Sequence, residues 1–124
     1  MPVPGTAAPS GTTAGKEDLL RTRRDTLRQA LETAEARYRS GNVALESVLR
    51  TAKELLEVEL QLARTKAERI ELCETTVAKL REMENLAQAR FDAGIESGRG
   101  ELLEAKAARL NAEERLLQER TAHE

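Results

Sequence analysis

The chain has 124 residues, 34% of them charged, 40% hydrophobic and 2% aromatic, so it holds at most one small domain and lacks the rings that fill thick globular cores. Its 20 basic and 22 acidic residues are interleaved, which excludes the single-signed surface that nucleic-acid binding requires. Ala, Leu, Glu, Arg and Lys dominate, the composition of long helices packed along narrow coiled-coil seams.

Residues 1–15 (MPVPGTAAPSGTTAG) combine Pro, Gly, Ser and Thr with almost no large apolar side chain and read as a disordered leader. They lack the basic start, apolar run and cleavage site of a secretory signal. No stretch approaches the roughly 18 apolar residues of a membrane helix.

A helical domain is expected over 16–122, divided by two glycine turns, at Ser40-Gly41-Asn42 and between Gly94 and Gly100. The first helix should run near 16–40, with Leu20, Leu27, Leu31, Ala34 and Tyr38 on its seam. Its basic stretch, Arg21, Arg23, Arg24 and Arg28, reads as a solvated face.

The middle segment, 44–92, keeps one 3–4 spacing through Leu45, Leu49, Ala52, Leu56, Ala63, Ile70, Cys73, Val77, Leu80, Ala87 and Phe91, interrupted by Glu59, Lys66 and Glu84. With no Pro or Gly inside it, the preferred reading is one central helix of roughly 70 Å at 1.5 Å per residue. That gives three helices in long antiparallel coiled-coil hairpins. The alternative is a break near Thr65, where Thr65-Lys66-Ala67-Glu68 fits a capping box; the chain would then fold as a four-helix bundle with both glycine turns at one end. Leu60, Leu62, Leu72 and Leu86 lie off the main seam, and a homo-oligomer is expected to cover them. Cys73, alone in the chain and on the seam, reads as a buried structural thiol.

The last helix should run near 98–121, with Ser97 as its N-cap and a seam of Leu103, Ala107, Leu110 and Leu117. Gly98 and Gly100 loosen its start.

Two stretches repeat. Ala36-Arg37-Tyr38-Arg39-Ser40-Gly41 recurs 53 residues later as Ala89-Arg90-Phe91-Asp92-Ala93-Gly94, and Leu49 and Ala52-Lys53 recur as Leu102 and Ala105-Lys106. Repeat 1 covers about 27–63 and repeat 2 about 80–117. Tyr38 and Phe91, the only aromatics, each stand three residues before a turn glycine. Each is expected to pack its ring under a tight corner where glycine takes positive φ.

Catalysis finds no residues to carry it. His123 is the only histidine and lies at the C-terminal end, so neither a Ser/His/Asp arrangement nor a histidine-rich metal site can be assembled. Glu35 and Glu46, four positions before Arg39 and Arg50, read as surface ion-pair partners. Gly98-Arg99-Gly100 is too short for a phosphate loop and follows no strand. No enzymatic activity, cofactor or metal is expected.

The motif A-R-[YF]-x-x-G, followed by a short loop and a Leu-Leu-x-Ala helix, resembles the helical hairpin of TolC-type outer-membrane efflux proteins. The resemblance covers about Leu27 to Leu117, and the second copy carries it best: Gly94, Ile95, Ser97 and Glu101-Leu102-Leu103-Glu104-Ala105 follow the family's pattern. In the first copy Asn42, Ala44 and Ser47 replace the aliphatic, the Ser/Thr and the acidic residue. The resemblance implies a periplasmic, cell-envelope component, a fragment or shortened relative, whose turn residues Gly94, Ile95, Ser97 and Gly41 meet a membrane-fusion adaptor protein. The family's membrane-spanning strands are absent, so this chain is not by itself a channel. The alternative is a free-standing coiled-coil scaffold with no transport role.

Overall fold

The computed structural model describes the backbone of residues 8–96 and 98–123, and side chains from residue 15 onward. Among these residues the protein is all-α, with four helices: α1 (Ala8–Arg39), α2 (Leu45–Leu62), α3 (Lys66–Asp92) and α4 (Gly98–Thr121). None is long and apolar enough to cross a membrane.

Helix α1 starts inside the stretch expected to be a leader. Pro9 falls in its first turn, where a missing N–H removes no helical hydrogen bond. Residues 1–7 lie outside the described residues.

The central segment is two helices rather than the single helix preferred from the seam. Helix α2 ends at Leu62, Ala63 turns to extended backbone (φ −66°, ψ 140°), and Thr65 (φ −130°, ψ 160°) caps α3. The Thr65 hydroxyl accepts from the Glu68 N–H at 3.1 Å, and the Glu68 carboxylate accepts from the Arg64 N–H at 3.2 Å. A side-chain cap thus replaces the helical partners that the first amides of α3 lack, with neither Pro nor Gly present. The break folds the segment back on itself, so Leu60 is buried and Leu62, Leu72 and Leu86 are half-covered within one chain.

Ion pairs trace the helix directions. Arg28–Glu59 (2.9 Å) and Arg64–Glu17 (3.0 Å) run α1 antiparallel to α2. Arg69–Glu119 (3.0 Å), Arg81–Glu113 (2.8 Å), Arg109–Glu84 and Arg90–Glu101 (3.0 Å) run α3 antiparallel to α4. Arg115–Glu57 (3.1 Å) sets α4 beside α2 in the same direction. The basic residues of α1 are likewise paired, Arg21 with Glu17 and Asp18, Arg24 with Asp25 and Arg23 with Glu54. Glu46 pairs with Arg50 on the surface, as its spacing suggests. Glu35 pairs with Arg39 at 3.7 Å as its spacing suggests, but it does not lie on the surface: it is buried and also accepts from the Lys79 ammonium at 3.1 Å, tying α1 to α3.

The core is narrow. Leu31, Ala34, Tyr38, Leu45, Val48, Ala52, Leu55, Leu56, Cys73, Val77, Leu80, Met83, Ala87, Ala105, Ala112 and Leu116 form one cluster, each large apolar side chain stabilising the fold by about 1.5–3 kcal/mol. Burial, then the nearby Glu119 carboxylate, raises the Cys73 thiol above its ordinary pKa, so the thiolate needed for reactivity is disfavoured.

The expected seam of the last helix is corrected. Leu103, Leu110 and Leu117 are 58%, 52% and 61% exposed, and Ala107 is exposed with them. Helix α4 instead turns Gly98, Glu101, Ala105, Ala112 and Leu116 inward. Gly98, Ala105 and Ala112 are spaced seven apart on one face, and these small residues let α3 and α4 approach more extensively than α1 and α2 do.

Candidate functional site

The two turns are built alike. In the first, the Asn42 N–H donates to the Arg37 carbonyl at 2.7 Å and the Gly41 N–H to the Tyr38 carbonyl at 3.0 Å; in the second, Ile95 donates to Arg90 and Gly94 to Phe91, both at 3.0 Å. This is the Schellman closure in both, with Gly41 (φ 81°) and Gly94 (φ 80°) in the left-handed position. The sequence repeat is therefore a repeat of hydrogen bonds.

Because the chain folds back at residues 63–65, both turns lie at one end of the bundle. The Tyr38 hydroxyl, at the end of α1, donates to Glu101 on α4 at 3.3 Å. The Arg90 guanidinium, at the end of α3, lies 5.2 Å from the centroid of the Tyr38 ring and donates to the same Glu101 oxygen at 3.0 Å. Cation–π attraction and a charge-assisted hydrogen bond thus join the hairpins beneath their turns. Burial, then the Glu101 charge, pushes the Tyr38 phenol up to about 12.

Below the turns the equivalence ends. Tyr38 is 1% exposed, whereas Phe91 is 44% exposed and does not fill the corner expected of it. Gly98 supplies the reason. A Cβ at residue 98 would sit 2.6 Å from the Phe91 Cα and 2.7 Å from its amide nitrogen, so the backbones of α3 and α4 touch where a ring would have to pass. The residue at the same repeat position in the first hairpin is Leu45, fully buried.

Of the residues expected at the tip, Gly41, Gly94 and Ile95 come to this end; Ser97 lies outside the described residues. Ile95 is 40% exposed and, with Phe91, gives the second turn an apolar outer surface. The first turn is polar, its Ser40 hydroxyl accepting from the Asn42 amide at 3.1 Å. Arg90 and Glu101, which fix the tip, carry no motif of their own as a pair, because their meeting with Tyr38 depends on the fold-back. Among the described residues no cluster of three or more His, Cys, Asp or Glu side chains is arranged to hold a metal ion.

Compared with known proteins, the chain matches no family model, no curated protein and no solved structure.

Proposed function

We propose that this chain is a non-enzymatic docking module that meets a partner protein with the end of the bundle carrying both glycine turns. The observation that carries this reading is Ile95, an aliphatic 40% exposed beside a turn glycine, where it adds little to the stability of its own hairpin and offers an apolar knob. Phe91 widens the knob, and the Tyr38, Arg90 and Glu101 contacts hold it on a rigid base.

The setting that the residues of the second turn favour is a TolC-like helical component of a cell-envelope transport assembly, with a membrane-fusion adaptor as the partner. Long antiparallel coiled-coil hairpins presented tip-first are the form such a component would take. The second reading, a free-standing scaffold, is favoured by the way the two hairpins satisfy each other within one chain around Tyr38.

Titration with a co-encoded adaptor separates the two. On the docking reading, Ile95→Asp abolishes binding while helicity and melting temperature stay nearly unchanged, and Asn42→Asp leaves binding intact. Unaltered binding by the Ile95 variant would move the assignment to the scaffold.

A further inference from the structure

Helix α4 is apolar on two opposite faces. Its small-residue face packs on α3, while Leu103, Leu110 and Leu117, spaced seven apart, stand more than half exposed. Beside this stripe an open groove of about 1040 Å³ runs between α2 and α4, floored by Leu49, Leu56, Leu80 and Ala108, with Leu110 on its edge. A contiguous apolar stripe left facing water marks an interaction surface, because covering it is favourable.

We propose that a second copy of this chain covers the outer face, its α4 lying antiparallel along α4 of the first. Charge selects this occupant. Lys53, Glu104, Lys106 and Glu114 flank the stripe and the groove, and none of them forms an ion pair or a side-chain hydrogen bond with the described residues. The set holds two cations and two anions and so complements itself under a two-fold axis.

The register follows. With Ala107 of one copy opposite Leu110 of the other, the two helices overlap along their whole length. Lys106 faces Glu113, which also accepts from Arg81 and Arg109 of its own chain, and the two-fold repeats the pair. Arg99 faces Arg120 only at the two helix ends, where Arg120 is already paired with Glu74. Moving one helix by a heptad in one direction sets Glu113 against Glu113 and Lys106 against Arg120. Moving it the other way brings Arg99 to Glu113 but sets Lys106 against Lys106 and Glu104 against Glu104, and leaves Leu117 with no part of the second α4 opposite it. A parallel pairing would stack Glu114 on Glu114 in the middle of the seam, whereas the antiparallel one sets it opposite Leu103 toward an end, where its carboxylate reaches water. On the groove side, the Arg115–Glu57 pair places Lys53 level with Asn111, and the same two-fold brings it within about 3 Å, along the axis, of Glu104 of the second copy, at 1.5 Å rise per residue.

Sedimentation equilibrium on the full chain tests the proposal. The parent should be a dimer at micromolar concentration, and Leu110→Glu should raise its dissociation constant about 30-fold or more, as for a central anchor. Because Leu110 contributes little within the chain, the dilute monomer of that variant should keep its helicity and melting temperature. Lys53→Glu should weaken the dimer about tenfold, since the two-fold doubles a surface pair that by itself changes affinity about threefold, and Lys53→Glu combined with Glu104→Lys should restore it. A parent monomeric at high micromolar concentration, a dimer indifferent to Leu110→Glu, or a double variant no tighter than Lys53→Glu would each overturn it. Adaptor binding at the tip is read separately through Ile95, so the two proposals stand or fall independently.

Discussion

In the α1–α2 hairpin the corner beneath the turn is filled by side chains, with Tyr38 and Leu45 buried inside it; in the α3–α4 hairpin it is closed by backbone, with Gly98 against Phe91 and the ring outside. Above these corners the turns share the same hydrogen bonds. A turn motif thus sets how a chain reverses, and the first residue of the returning helix sets how close the helices come and which side chains are expelled. In the second hairpin the expelled groups are Phe91 at the tip and, further down, the α4 leucines, the surfaces to which partner binding is assigned above.

The largest effect that would break this contrast is truncation of the two aromatics. Tyr38→Ala should cost about 3–5 kcal/mol, the range for a buried ring, and Phe91→Ala less than about 1 kcal/mol, since its ring is half in water. Denaturant unfolding of the two variants measures both. Equal losses would mean that the corners are alike after all.

Gly98→Ala comes next. Its Cβ would meet the Phe91 backbone at 2.6 Å, and no flexible side-chain end is there to give way, so a loss of about 1–3 kcal/mol is expected, as for overpacking in a core. Gly100→Ala, with nothing within 4 Å of the added atom, is the control and should be neutral or slightly stabilising through helix propensity. A Gly98 variant as stable as the parent would remove the backbone explanation for the exposed Phe91.

The sequence carries part of this plainly and part of it in a form that heptad reading passes over. The glycine turns, the repeat linking them and the burial of Leu31, Ala34, Tyr38 and Cys73 are all legible, because each rests on local spacing or on one unambiguous residue type. The seam of α4 misleads because leucines outrank alanines in any count of apolar positions. Gly98, Ala105 and Ala112 have the same seven-residue spacing as Leu103, Leu110 and Leu117, and close packing favours the smaller set. The fold-back at residues 63–65 is signalled by Thr65 and Glu68, and by the charged Glu59 and Lys66 that interrupt the seam on either side of it, against an apolar spacing that otherwise keeps its phase from Leu45 to Phe91. The meeting of Tyr38, Arg90 and Glu101 is a consequence of that fold-back and has no local signature.

Thr65→Ala asks how far the arrangement depends on the cap. Losing the hydroxyl that accepts from Glu68 should cost about 1 kcal/mol and fray the start of α3, with hydrogen exchange accelerating around residues 66–69 and little changed near the tip. Faster exchange at Gly94 or Ile95 instead would show that the two ends of the bundle are coupled.

The smallest effect at neutral pH, and the one that reads the joint between the hairpins most directly, is Tyr38→Phe. It keeps the ring and the Arg90 contact and removes one hydrogen bond to a carboxylate that Arg90 still satisfies, a loss of about 0.5–1 kcal/mol. The difference should depend on pH with a definite sign. Folding raises the Tyr38 pKa from about 10 to about 12, so the fold favours the protonated phenol, and that contribution is complete below pH 10. From there up to about 12 the unfolded chain releases the proton while the folded chain holds it, and stability falls as pH rises. Tyr38→Phe has no proton to lose, so its deficit at pH 8 should shrink and then reverse by pH 11, with the lysines titrating equally in both proteins. Tyr38 is the only tyrosine and the chain has no tryptophan, so tyrosinate absorption follows this one phenol. A midpoint near 10 in the folded protein, or a deficit that stays constant from pH 8 to 11, would mean that Tyr38 is not sealed against Glu101 and that the hairpins are not joined beneath their turns.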